Sequence, residues 1–149
     1  MLVSAFAENR KARFNYTILE EHEAGIVLLG AEVKSIRSGH ISIKEAYAGI
    51  EGGELWLKNA HISAYKPAKI EGYVPTRARK LLLNKEEIRI LIGKSAEQGL
   101  TLIPLRVYAK NGKIKVSIAV GKGKKKYDKR EVLKKKSQER EIKRALKDR

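Results

Sequence analysis

The chain has 149 residues, 42% of them hydrophobic, with 33 Lys plus Arg against 17 Asp plus Glu for a net charge of +16. That length and apolar content suit one compact domain with a real core, and so large a cationic excess persists where a polyanion offsets it, which points to nucleic acid or an acidic ribosomal surface ahead of a membrane. There is no cysteine, so disulfides, zinc fingers, zinc ribbons and thiol nucleophiles are excluded.

Residues 1–7 are apolar like the middle of a secretory signal, but the run is short, lacks a basic lead and passes straight into Glu8-Asn9-Arg10-Lys11. No apolar stretch approaches the roughly 20 residues that span a bilayer, and a cytoplasmic protein is expected. Phe14, Tyr16 and Ile18 alternate with Asn15 and Thr17, the pattern of a strand with one apolar face. Residues 26–29 form an apolar run that fits either a buried strand or the entry to a helix. Residues 31–37, between Gly30 and Gly39, read as a helix with Val33 and Ile36 on one side and Lys34 and Arg37 exposed. Segments 41–50 and 55–62 flank Glu51-Gly52-Gly53-Glu54, a favoured hairpin turn. Tyr16, Tyr47 and Trp56 fall on strand patterns and are expected in the core.

Pro75-Thr76-Arg77 opens a second stretch expected to be helical, carrying Leu81, Leu82, Ile88, Leu91 and Ile92, with a capping box at Asn84-Lys85-Glu86-Glu87 and a stop at Gly93. Residues 100–110 and 113–120 form the clearest hairpin, joined by Asn111-Gly112, the preferred pair for a type I′ turn. Its second arm puts Ile114, Val116, Ile118 and Val120 on one face and Lys113, Lys115 and Ser117 on the other. Pro104 in the first arm implies an edge or a bulge. The fold class is therefore mainly β with flanking helices. A small closed barrel of the oligonucleotide-binding type and a helix-flanked antiparallel sheet both fit, and periodicity does not separate them.

The apolar pattern ends near Val120. Residues 121–149 hold 14 Lys or Arg against 5 Asp or Glu, a net charge of +9. The reading is a domain over residues 1–120 and a basic tail over residues 121–149, disordered when free and helical when bound, with Gly121-Lys122-Gly123 as a flexible joint.

Catalysis finds little support. The only aspartates are Asp128 and Asp148, both in the tail, so the body has none for a triad, a paired metal site or a Walker B position. His22, His40 and His61 lack ligand-like spacing and read as surface or hydrogen-bonding side chains. Gly93-Lys94-Ser95 resembles the end of a phosphate loop, but Ile88 stands where that motif needs its first glycine. No catalytic residue, metal or cofactor is expected. What remains is binding: lysines and arginines that neutralise phosphates, and a ring such as Tyr127 that can stack on an unpaired base.

Five segments sharpen this. Asn9-Arg10-Lys11-Ala12, Glu23-Ala24-Gly25-Ile26, Gly30-Ala31-Glu32-Val33-Lys34-Ser35-Ile36-Arg37, Arg77-Ala78-Arg79-Lys80-Leu81-Leu82-Leu83 and Gly123-Lys124-Lys125-Lys126-Tyr127-Asp128-Lys129-Arg130 occur in that order. Together they resemble the signature segments of the SsrA-binding protein family (small protein B), from about Glu8 to the C-terminus. Small departures from the usual pattern stand at Ala31, Glu45-Ala46, Ala64 and Lys126.

The resemblance implies an oligonucleotide-binding-type barrel with flanking helices, bound to the transfer-RNA-like part of transfer-messenger RNA. It implies delivery of that RNA to the empty A site of a stalled ribosome for trans-translation, without catalysis, and a monomer is expected. Asn9, Glu23, Leu82 and Lys115 match positions at the RNA surface, with Arg10, Lys11, Lys34, Arg37 and Lys113 beside them. Gly123, Lys124, Lys125, Tyr127, Asp128, Lys129 and Arg130 match the tail that enters the decoding centre and messenger channel. Glu23 is the odd member, because a carboxylate repels phosphate; it would have to accept from base amino groups or position neighbouring cations. The rival readings are a general ribosomal or structured-RNA-binding barrel and an RNA-modifying enzyme.

Overall fold

The computed structural model describes residues 5–124. Strand β1 (Ala5–Glu8) leads into a one-turn helix, α1 (Ala12–Asn15), and then the long strand β2 (Tyr16–Ile26). Helix α2 (Gly30–Arg37), β3 (Ile41–Ser42), β4 (Tyr47–Glu51), β5 (Glu54–Lys58) and β6 (His61–Ile62) follow. After a 3-10 turn at Lys66–Ala68 come β7 (Arg79–Leu82), α3 (Lys85–Ala96), β8 (Leu100–Lys110) and β9 (Lys113–Gly123).

Antiparallel pairing runs β8–β4–β5–β7–β2–β9, and β9 pairs again with β8, so six strands close a ring. Closure leaves these strands no free edge to template aggregation. Of the two expected alternatives, the closed barrel rather than the helix-flanked open sheet is the fold. Inside it lie Ala24, Leu55, Leu57, Leu81, Val116, Ile118 and Val120, all at most 1% exposed, with Ile36 of α2 and Leu91 of α3 packed in the same cluster.

Both hairpins form as their turns dictate. Asn111 and Gly112 have φ of 51° and 74°, and Gly52 and Gly53 have 60° and 75°, the positive values of a type I′ turn. Pro104 marks a bulge: the β8–β9 register shifts between Pro104 and Arg106. The bulge changes which residues face inward, so Leu102 and Val107 join the main core while Ile103 and Leu105 pack outside the barrel with Ala12 and Ala119. That second cluster includes Ala12 of α1 and covers β9 at Ala119; along the strand Lys113 and Lys122 are exposed and Lys115 is half-buried.

The N-cap of α3 is as the sequence suggests, Asn84 Oδ1 accepting from the Glu87 amide at 2.8 Å, but the second half of the expected box differs: Glu87 Oε1 accepts from Asn84 Nδ2 at 3.0 Å rather than from the Asn84 backbone amide. Other elements differ. Residues 79–82 are a strand, not helix, because the ring closes only if β7 fills the gap between β5 and β2; a run such as Leu81-Leu82-Leu83 satisfies either period. Helix α3 passes Gly93 and stops at Ala96. Phe14 lies in α1, and Tyr47 is 49% exposed rather than core.

The expected boundary after Val120 falls inside β9, which pairs with β2 down to Gly123↔Tyr16. Gly121 is not a joint here. A Cβ on it would stand 2.8 Å from Ile103 Cδ1 and 3.1 Å from Tyr16 Cβ, so the bare glycine lets β2 and β8 side chains close over the strand. The chain is held through Lys124, whose amide donates to Asn15 O at 3.0 Å and whose Nζ donates to Arg13 O at 2.9 Å. The tail positions Lys125, Tyr127, Asp128, Lys129 and Arg130 lie outside the described residues.

Candidate nucleic-acid interface

Three strands meet at one row. Gly25 of β2 pairs with Leu82 of β7 on one side and with Lys115 of β9 on the other. Around this row opens a groove of about 760 Å³, floored by Gly25, Leu82 and Leu83 and walled by Asn84 and Glu87 of the α3 start, Glu21 to Glu23, and Lys110, Asn111, Lys113 and Lys115 of the hairpin. Leu82 is 49% exposed, an apolar side chain that the fold presents to solvent at the groove floor. A Cβ at Gly25 would lie 3.3 Å from Leu82 Cβ and 3.7 Å from Lys115 Nζ, so the glycine allows those two side chains to approach each other.

The lining carries three lysines and three glutamates, and each glutamate is already engaged. Arg13 donates to Glu21 at 2.9 Å, Lys110 Nζ to Glu23 Oε2 at 3.0 Å, and His22 Nδ1 lies 3.2 Å from Glu87 Oε2 with its Nε2 3.2 Å from Glu20 Oε2. Lys113 and Lys115 make no ion pair among the described residues. The groove thus offers two uncommitted cations above an apolar floor, which suits a phosphate backbone with its bases or sugars laid on Leu82. Across the strand pair from Lys115, Tyr108 is 7% exposed, and its pKa is raised first by burial and then by the negative charge of Glu23.

The expected residues divide over the surface. Glu23, Leu82, Lys113 and Lys115 share the groove. Arg37 lies in an adjoining depression of about 350 Å³ that shares Leu82, Lys113 and Lys115, and its Nη2 donates to Gly112 O at 3.0 Å. Asn9 and Arg10 line a third hollow that touches the groove only through Glu21. There Asn9 supports the β8 bulge, its amide donating to Leu105 O at 2.8 Å and its Nδ2 to Pro104 O at 3.3 Å. Lys11 sits further round, beside Lys44 and Tyr47. Lys34 is apart from the groove, its Nζ 5.5 Å from the Tyr65 ring centroid. Gly123 and Lys124 belong to the end of β9 and its first bonds to α1.

Sequence reading overlooked Lys110, although the Asn111-Gly112 turn carries the signal: a two-residue hairpin puts Lys110 directly opposite Lys113. It also overlooked why the segments around Glu32 and Arg77 travel together. Glu32, 1% exposed, accepts from Arg79 Nε at 2.8 Å, from the Leu29 amide at 2.9 Å, from the Tyr73 hydroxyl at 3.0 Å and from Arg77. Burial pushes its pKa up, but the Arg77 and Arg79 guanidinium groups and the Leu29 amide outweigh that and hold it below the ordinary carboxylate value. This hub ties α2 to the strand that carries Leu82. Among the described residues no cluster of three or more His, Asp or Glu could hold a metal, and no helix is long and apolar enough to cross a membrane.

Residues 6–148 match the family described as SmpB protein. The SsrA-binding protein of Sulfurihydrogenibium sp. is 57% identical over 141 residues, 95% of this chain and 93% of the relative. That of Thermosynechococcus vestitus is 50% identical over 148 residues, 99% of this chain and 97% of the relative. Among solved structures, a chain from "tmRNA-SmpB: a journey to the center of the bacterial ribosome" superposes with a TM-score of 0.67 at 47% identity, covering 80% of this chain and 84% of that one.

Proposed function

This chain belongs to the SmpB protein family, and from that premise we propose that it binds the transfer-RNA-like domain of transfer-messenger RNA and carries that RNA to stalled ribosomes for trans-translation. The observation that carries this reading is near-full-length identity, at 57% and 50%, to proteins named for binding SsrA. The groove at Gly25, Leu82 and Lys115 supports it by supplying a place: two free cations, an apolar floor and anions already neutralised.

The protein acts as a binding partner in the cytoplasm and has no reaction of its own. The RNA domain occupies the groove and the Arg37 depression beside it, contacting Leu82, Lys113 and Lys115. The basic segment after Lys124 meets the ribosome, with Tyr127 stacking on a base and Lys129 and Arg130 meeting phosphates. A fluorescence-anisotropy titration of the full chain with a transfer-RNA-like-domain transcript tests the first half. Tight binding to that transcript and weak binding to a ribosomal RNA hairpin of equal length is the expected result. Equal affinity for both would favour a general RNA-binding barrel instead.

A further inference from the structure

We infer that Glu23 serves RNA binding as a positioning residue, holding the Lys110 ammonium in the groove as a third phosphate ligand beside Lys113 and Lys115. The inference rests on the reading that this groove takes RNA.

The starting point is a conflict of charge. A carboxylate exposed on a phosphate-binding surface repels its ligand, yet Glu23 stands on the groove wall with 35% of its side chain exposed. The geometry removes the conflict. Lys110 Nζ donates to Glu23 Oε2 at 3.0 Å, although the two belong to β8 and β2 with β9 between them. Their register partners on β9 are Lys113 and Ser117, four residues apart. The Lys110 side chain therefore runs back diagonally across β9, past the row of Lys115, to reach the carboxylate.

Glu23 is the partner that draws Lys110 there. Lys110 lies at the end of a hairpin arm, 53% exposed, directly across from Lys113. Like charges facing each other across a strand pair push apart, and a long, flexible lysine in that position turns to solvent. Buried Tyr108 stands directly across the strand pair from Lys115 and feels the negative charge of Glu23. The contact of Glu23 with Lys110 thus aims a mobile cation at the groove from a rigid strand.

Lysine suits this use because its ammonium has three donors. One goes to Glu23, and two remain for phosphate oxygens. The half-exposed ion pair is weak enough for a phosphate to share the cation without breaking the fold.

A double-mutant cycle tests this, using Glu23→Gln, Lys110→Met and both together in the full chain. Affinity for the transfer-RNA-like-domain transcript is measured over a salt series, with thermal melts confirming folding. Glu23→Gln and Lys110→Met should each weaken binding by about tenfold, and the double variant should bind no more weakly than Lys110→Met alone. Each single change should also flatten the log K against log[salt] slope by about 0.7–0.9, one phosphate contact. If Glu23 instead accepts from a base amino group, its loss costs the same factor in the Lys110→Met background and leaves the slope unchanged; additive losses overturn the inference. So does a Glu23→Gln variant that binds more tightly than the parent. A parent that fails to bind the transcript at all brings down the functional reading first, and this one with it.

Discussion

Glu32 and Arg79 are 47 positions apart and meet as an ion pair 1% and 0% exposed, with Arg79 Nη2 2.5 Å from Glu32 Oε2. Arg79 spends its remaining donors on Ala60 O at 2.7 Å and Pro75 O at 2.8 Å. One guanidinium thus joins α2, the turn between β5 and β6 and the loop before β7. Every donor and acceptor in this hub has a partner, which is the condition under which buried charge is tolerable.

Removing one partner should therefore be severe. Arg79→Ala leaves a buried carboxylate with part of its compensation gone, and we expect a loss of about 3–5 kcal/mol in denaturant unfolding. Glu32→Gln should be nearly as damaging at neutral pH. The pH dependence follows from the sign of the shift. Because the folded-state pKa of Glu32 is lowered from 4.5, its contribution is complete above the ordinary carboxylate range and is lost as pH falls through the lowered value. The stability gap between the parent and Glu32→Gln should then narrow as pH drops below about 4. A gap that stays constant across that range would refute the role.

Lys115→Glu reverses a charge on the groove while Ile114 and Val116 stay in the core. Stability should change by no more than about 0.5 kcal/mol, whereas RNA affinity should fall by about tenfold or more. Thermal melts and a binding titration check both; an unfolded variant or one that binds like the parent contradicts the site.

Gly25→Val tests the row at the groove floor. The first added carbon already meets Leu82 Cβ at 3.3 Å, and the two further methyl groups must displace Leu82 or Lys115. We expect a destabilisation of about 1–3 kcal/mol and a larger proportional loss of RNA affinity, since the displaced side chains are those that line the groove. Unchanged affinity in a folded variant would show that the row is only structural.

Gly121→Ala separates a packed strand from a flexible joint. With Ile103 Cδ1 at 2.8 Å from the new Cβ, overpacking should cost about 1–3 kcal/mol. A joint would lose nothing and would gain slightly from a stiffer unfolded chain. A melting temperature at or above the parent's would restore the hinge.

Much of this fold was legible because local chemistry and global fold agree. Asn111-Gly112, Gly52-Gly53, the Asn84 cap and the Pro104 bulge are each specified by residues that tolerate few other conformations. The failures share one cause. Residues 79–82 and Gly121 took their roles from long-range neighbours: a gap in a ring and a side chain from β8. No window of sequence contains those partners. The groove behaved likewise. Lys113 and Lys115 could be read from strand alternation, but Glu23 made physical sense only once Lys110, 87 positions away, was seen to reach it.

The last prediction concerns the segment beyond the body. The described contacts end at Lys124, which is bonded to Asn15 and Arg13, so a chain ending after Lys126 keeps every one of them, including the groove. It loses much of the cationic segment that sequence gives a net charge of +9 over residues 121–149, and with it Tyr127. Such a protein should bind the isolated transfer-RNA-like domain with affinity within about threefold of the parent, since the phosphate contacts assigned to the groove remain. On a reconstituted stalled ribosome it should fail to support tagging of the nascent peptide. Tyr127→Ala alone should impair accommodation more than RNA affinity, because one base stack is worth about 1–3 kcal/mol and the body does not supply it. Equal tagging by the truncated and full chains would place ribosome engagement on the body. A large loss of domain binding at fixed salt would instead mean that the segment after Lys124 shares the RNA surface with the groove.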